Sequence, residues 1–173
     1  MPKPNLKKEL QKLNREQLIE QVMDLYKKYK PVKEYYDFYL NPNEKELFEK
    51  YKEIITNEFY PKKGGPKMRF SVAKKAIADF KAFSPSPLLL ADLLLSLPEL
   101  ATEFTSDNGD MWEQYYISAA NNFDVALKFI SSQELFPQFK ERIKNCLQQA
   151  SECGWGYGDD LDDIYYNYFG ADE

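Results

Sequence analysis

Residues 86–97 read SPLLLADLLLSL, the most apolar segment of the chain. Ser86 is a favoured N-cap residue and Pro87 suits the first helical position, so we expect a helix to begin here. Leucines cover most of its helical wheel and leave a narrow polar stripe at Asp92 and Ser96. The apolar run is about half as long as a bilayer span requires, which predicts a central core helix and no membrane partner.

Outward from this segment, apolar residues recur at helical spacing, and no run alternates in the manner of a strand. We therefore predict an all-α single domain over residues 1–173, with about eight or nine helices. The predicted helices form approximate pairs at 15–40, 44–83, 87–131 and 137–169. A repeat near 40 residues is typical of stacked helical hairpins of the HEAT or armadillo type. An irregular bundle is the other interpretation.

Several helix ends have their own sequence signals. Asn14 with Gln17 three residues later predicts a capping box. Ser71 is the expected N-cap of a helix that runs to about Phe83. Asp110, with Glu113 three residues later, is the expected cap of a long helix. Pro98 should end or bend the helix that starts at Pro87.

Charge is divided unevenly along the chain. Residues 1–83 carry 19 Lys and Arg against 12 Asp and Glu, whereas residues 84–173 carry 4 against 16. A basic half followed by an acidic half suggests a partner surface, or two faces that attract each other within or between copies. The change coincides with the Ser-Pro-Ser-Pro segment at 84–87, which marks the joint if the chain has two subdomains.

Composition removes most common enzyme classes. The 173 residues include no His and only two Cys. The commonest general base is missing, a Ser-His or Cys-His dyad cannot form, and a four-cysteine zinc site cannot form within one chain. Asp92 is the best candidate for a buried acid, but its neighbour Ser96 fits a polar stripe at a helix contact. We predict no enzyme activity, no catalytic residue, no cofactor and no metal.

The loop at residues 61–70, which connects the two helices of the predicted pair 44–83, is the strongest candidate site. Its glycines allow close approach to the backbone, and it leads into a helix N-terminus, which attracts anions. No P-loop pattern is present. The segment is therefore a candidate for binding phosphate or nucleic acid. The other interpretation is a solvated basic face, or cations that pair with the acidic half of the same fold. The candidate residues are Lys62, Lys63, Gly64, Gly65, Lys67, Arg69, Lys74 and Lys75.

The C-terminal segment is rich in aromatic and acidic residues. Leu161, Ile164, Tyr165, Tyr168 and Phe169 follow helical spacing and predict a last helix. Tyr165, Tyr168 and Phe169 are the candidate surface for a partner helix, unless they dock on the core of their own chain. The aspartates at 159–163 lack the EF-hand pattern and favour a helix N-terminus without any metal.

Targeting signals also bear on the expected location. The N-terminal residues carry no apolar run after their lysines, so a signal peptide is not expected. The two cysteines, Cys146 and Cys153, are two helical turns apart and too distant to form a disulfide on one helix. These features favour a cytoplasmic protein.

Four segments carry a likeness to a known family: residues 18–28, 32–36, 41–44 and 70–77. They resemble a family of uncharacterised bacterial proteins, a domain of unknown function of about this length. The resemblance implies a bacterial, cytosolic, helical protein and transfers no activity, cofactor or catalytic residue. The function we expect is non-enzymatic protein–protein interaction, with an unknown protein or a second copy as the partner. Nucleic-acid or phosphate binding through residues 62–75 is the alternative.

Overall fold

A computed structural model describes residues 3–170 of the chain. The residues it describes form nine helices and no strand, which confirms the predicted all-α class and number of helices. The bounds are α1 Lys3–Leu10, α2 Arg15–Lys28, α3 Lys30–Leu40, α4 Glu44–Phe59, α5 Phe70–Lys81, α6 Pro87–Asn108, α7 Glu113–Ser132, α8 Phe136–Ala150 and α9 Tyr157–Phe169.

Several helix starts agree with their sequence signals. The Asn14 side chain accepts a hydrogen bond from the Gln17 N–H at 2.8 Å, and Gln17 returns one to the Asn14 N–H at 3.0 Å. This is the predicted capping box, which satisfies two amide groups that the first helical turn leaves unpaired. Ser86 occupies the N-cap of α6 with Pro87 in its first turn, also as predicted.

Two local predictions are corrected, and one of the two outcomes expected at Pro98 is excluded. Helix α5 begins at Phe70 with Arg69 as N-cap, so Ser71 lies inside the helix. Helix α7 begins after Trp112, and Asp110 accepts a hydrogen bond from the Tyr116 hydroxyl instead of capping it. Helix α6 does not end at Pro98 but runs on to Asn108. Burial of the leucines and alanines around Pro98 outweighs the cost of a proline in a helix, about 3 kcal/mol.

The chain divides into two compact units, residues 1–43 and 44–173. The first contains α1, α2 and α3. Helices α2 and α3 pack together as a hairpin, and the Tyr26 hydroxyl donates to Asp37 Oδ1 at 2.6 Å between them. Neither helix contains a buried residue. The first unit therefore holds its hairpin together without an enclosed core.

The second unit consists of three consecutive hairpins, α4–α5, α6–α7 and α8–α9. Helix α4 also packs on α6, α6 on α8, and α7 on α9, an order of contacts that fits stacked hairpins. Helix α6 is central, with Leu93, Leu95 and Leu97 fully buried. None of the described helices is long and apolar enough to cross a membrane.

The boundary between the units lies between residues 43 and 44 rather than at 84–87. The segment 84–87 connects α5 to α6 inside the second unit, and both of these helices pack on α4. Tyr51 of α4 contacts Phe80 and Phe83, with ring centroids 5.7 and 6.3 Å away. The change from basic to acidic sequence therefore falls within one packed core.

Candidate functional site

The basic loop between α4 and α5 folds back onto the last turn of α4. The backbone N–H groups of Lys67 and Met68 both donate to the carbonyl oxygen of Glu58, at 2.9 and 2.8 Å. Met68 takes a left-handed conformation to make this turn, with φ at 51°, a conformation that costs a non-glycine residue about 1–3 kcal/mol. Gly64 has φ at 79°, a backbone conformation that glycine adopts without steric cost, so a glycine suits this position of the turn.

Glu58 also binds Arg69, the residue that precedes α5. The carboxylate accepts from Arg69 Nε at 2.9 Å, from Nη2 at 2.7 Å and from the backbone N–H at 3.1 Å. Glu58 is 5% exposed, and the hydrogen bonds from Arg69 lower the pKa of its carboxyl. A two-pronged pair of this kind is among the stronger polar contacts in proteins. The guanidinium predicted to bind an anion is therefore already occupied by a carboxylate.

Two other predicted cations are paired with acids from the same half of the chain. Lys62 Nζ lies 2.5 Å from Glu53, and Lys75 Nζ lies 2.7 Å from Asp79. Among the described residues, the exposed side chains of Lys63, Lys67 and Lys74 form no ion pair.

A cleft of about 480 Å³ brings together part of the predicted set. Of the eight candidate residues it gathers five, and Gly64, Lys74 and Lys75 do not line it. The lining consists of Asn57, Glu58, Pro61, Lys62, Lys63, Gly65, Lys67 and Arg69. Two carboxylates offset two of its four cations: Glu58, which lines the cleft, pairs with Arg69, and Glu53 pairs with Lys62. Lys63 and Lys67 are the cations left to meet an incoming anion.

The three C-terminal aromatic residues pack on their own chain. Phe169 stacks on Phe136 of α8 with ring centroids 4.1 Å apart, and Tyr165 lies beside the same ring. The Tyr168 hydroxyl donates to Asp124 of α7 at 2.8 Å. All three are partly buried against the core. Much of the surface considered for a partner helix is therefore already used to dock α9.

A different apolar surface is exposed on the first unit. Ile19 is 52% exposed and Met23 46% exposed on α2, and on α3 Tyr39 is 67% and Leu40 69% exposed. These side chains leave apolar area of the first unit in contact with water. The predicted site residues did not include Ile19, Met23 or Leu40, although the apolar stripe of α2 is wider than one neighbouring helix can cover.

The acid considered for catalysis belongs to a structural network. Arg142 of α8 donates to Asp92 Oδ1 at 2.7 Å and to both carboxylate oxygens of Glu99, at 2.8 and 2.6 Å. Lys52 of α4 approaches Asp92 at 3.8 Å. The network thus joins α4, α6 and α8, which agrees with a polar stripe at a helix contact. Within the described chain, no cluster of Cys, Asp and Glu side chains could hold a metal ion.

Comparison with protein families gives a match over nearly the whole chain. The model of a family of unknown function, DUF6155, matches residues 1–169. The chain belongs to the DUF6155 family. The match spans both units, so the exposed hairpin and the hairpin stack of this DUF6155 protein fall within the family domain. Searches of curated proteins and of solved structures give no match.

Proposed function

We propose that this DUF6155 protein is a non-enzymatic protein–protein interaction protein, with the α2–α3 hairpin as its contact surface. The observation that carries the proposal is that the hairpin buries no residue but exposes apolar side chains on both helices. A chain of about 40 residues rarely encloses a core without a further partner. Contact with another protein supplies the missing burial.

The energetics favour such a contact. Covering the exposed part of Ile19 or Met23 removes apolar area from water at roughly 25 cal/mol per Å². Each of these side chains then contributes about 1 kcal/mol to association, and Tyr39 and Leu40 add similar amounts. The helices of the second unit differ in that they share one continuous buried core.

Photochemical cross-linking in the cells that produce the protein tests the proposal. A photoreactive phenylalanine analogue replaces Met23, and a matched protein carries it at the exposed Gln148 of α8. We expect a discrete adduct from position 23 and none from position 148. Ile19→Lys, next to position 23 on the helix surface, should reduce the adduct severalfold. Equal labelling from both positions would overturn the proposal.

The same proposal includes a location. The resemblance to a family of uncharacterised bacterial proteins supports a bacterial, cytosolic protein. Both cysteines are free thiols, which suits a reducing compartment. Fractionation of producing cells, followed with an antibody against the chain, tests this part.

A second candidate function is binding of phosphate or nucleic acid in the cleft beside the basic loop. The observation that favours it is that Lys63 and Lys67 line this cleft without an ion pair in the described part of the chain. Fluorescence anisotropy of labelled single- and double-stranded nucleic acids, repeated at rising salt, tests it. Lys63→Ala and Lys67→Ala should each weaken binding and lower the salt dependence by about one released ion. Lys74→Ala, outside the cleft, is the control.

A further inference from the structure

One face of α2 has a distinctive order of side chains. Glu16, Ile19, Met23 and Lys27 fall within an arc of about 80° on the helix surface, at about 100° per residue. Leu18, Val22 and Tyr26 lie beside this arc and are less exposed, and Tyr26 contacts α3. The face therefore reads acid, apolar, apolar, base from the N-terminal to the C-terminal end of α2.

This order is self-complementary when two such helices run antiparallel. Ile19 and Met23 are centred on position 21, and Glu16 and Lys27 are centred within half a residue of the same point. A two-fold axis there places Ile19 of each copy beside Met23 of the other. The same axis places Glu16 of each copy opposite Lys27 of the other.

We propose that the α2 face binds the α2 face of a second copy of this chain in an antiparallel, two-fold symmetric pair. The inference rests on the proposed function, because it names the partner of the same hairpin. Glu16 and Lys27 form no ion pair in the described part of their own chain. Across the pair they would form two, and antiparallel helix dipoles also favour this arrangement.

The charges select this arrangement over a parallel one. A parallel pair in register would set Glu16 against Glu16 and Lys27 against Lys27, which repels at both ends. The apolar contact is small, with two large side chains from each helix, so the pair should be concentration-dependent. Added salt should weaken it, because its charged contacts are exposed.

Sedimentation velocity of the purified full chain over a wide concentration range tests the pairing. Wild type should shift from monomer to dimer, and Met23→Lys should remain monomeric. Glu16→Lys alone and Lys27→Glu alone should each weaken the dimer about tenfold, since both symmetric pairs become repulsive. Glu141→Lys, an equal charge change on exposed α8, should have no effect. Circular dichroism checks that each variant remains helical.

Mixing the two charge variants gives the decisive result. A heterodimer of the Glu16→Lys copy with the Lys27→Glu copy has opposite charges at both ends, so the mixture should dimerise as well as wild type. A wild-type chain that stays monomeric overturns the pairing. So does a dimer that α2 charges leave unchanged. If the chain is monomeric while position 23 still cross-links to another protein in cells, the pairing fails and the proposed function stands.

Discussion

Glu58 and Arg69 form a two-pronged ion pair that joins the last turn of α4 to the residue that caps α5. The backbone carbonyl of Glu58 also accepts hydrogen bonds from the N–H groups of Lys67 and Met68, so one residue anchors the end of the loop that leads into α5. Glu58 thus fixes to α4 the loop that is the candidate for anion binding. Its geometry is therefore fixed by the fold and does not require a ligand.

Replacing Glu58 should destabilise the second unit. Glu58→Gln removes the negative charge of a buried carboxylate whose partner, Arg69, is half exposed. We expect the free energy of unfolding to fall by about 2 kcal/mol at pH 7. Glu53→Gln removes the exposed partner of Lys62 and should change it by less than about 0.5 kcal/mol. Urea unfolding followed by circular dichroism measures both. Equal effects would mean that Glu58 does not anchor the loop.

The Glu58 contribution should also depend on pH. Arg69 holds the pKa of the folded carboxyl below its ordinary value, whereas the unfolded chain has an ordinary glutamate. The stabilisation is therefore complete above about pH 4.5 and is lost as pH falls through the lowered folded pKa. The difference in free energy of unfolding between wild type and Glu58→Gln should shrink below about pH 4. Urea titrations at several pH values measure this difference. A constant gap would contradict this assignment.

The role of Glu58 could not be predicted from the sequence. The run of cations from Lys62 to Lys75 is visible in the chain, but their partners depend on how the loop turns. Glu58 lies eleven residues before Arg69, and the left-handed turn at Met68 brings them together. Nothing local distinguishes Glu58 from Glu53, which forms only an exposed pair. The run of cations is thus visible in the sequence, but the acids that pair with Lys62, Arg69 and Lys75 are not.

One capping signal that acts within the first turn formed as predicted, whereas the similar signals at Ser71 and Asp110 did not form N-caps. Asn14 and Gln17 satisfy each other locally, so their capping box forms as expected. Pro98 shows the opposite case, because its effect depends on surroundings that the sequence does not locate. The apolar residues around it are buried by α7 and α8, and that packing keeps α6 continuous. At Pro98, burial of the surrounding residues in the core outweighs the local tendency of proline to end a helix.

Gly158 marks a close approach between α8 and α9. A Cβ atom at this position would lie 2.9 Å from Ser151 Cα and 3.1 Å from the Ala150 carbonyl oxygen. At an unobstructed helix position, alanine is more stable than glycine by about 1 kcal/mol. Here we expect Gly158→Ala to lower the free energy of unfolding by about 1–3 kcal/mol. Gly65→Ala, which meets no atom within 4 Å, is the control in the same thermal unfolding experiment. Stabilisation by Gly158→Ala would exclude the close contact.

The two thiols should differ in reactivity. Burial raises the pKa of the Cys146 thiol to about 12, and the side chain is almost fully enclosed. Cys153 is partly exposed, and burial raises its pKa as well. Because the thiolate is the reactive form, iodoacetamide at pH 8 should label Cys146 at least about a hundredfold more slowly than an unfolded cysteine, with Cys153 intermediate. Mass spectrometry of timed digests measures this, and rapid labelling of native Cys146 would contradict its burial.

Removing the two partners of the Thr102–Tyr157 hydrogen bond should lower the free energy of unfolding by different amounts. Both side chains are buried, with their oxygens 2.8 Å apart, and the Thr102 hydroxyl donates to the Pro98 carbonyl at 2.9 Å. The Tyr157 hydroxyl must therefore be the donor to Thr102. Thr102→Val leaves that donor buried without its partner, at a cost of about 1–3 kcal/mol. Tyr157→Phe removes the donor and leaves Thr102 bonded to Pro98, so it should cost less.

Urea unfolding of both single variants and the double variant checks this ranking. The double variant removes both polar groups, so its loss should be smaller than the sum of the single losses. Ser118→Ala, which removes a hydroxyl bonded only within the outer part of α7, controls for loss of an exposed hydrogen bond. If Tyr157→Phe cost more than Thr102→Val, the donor would have been assigned in the wrong direction. Additive losses would show that the two hydroxyls do not depend on each other.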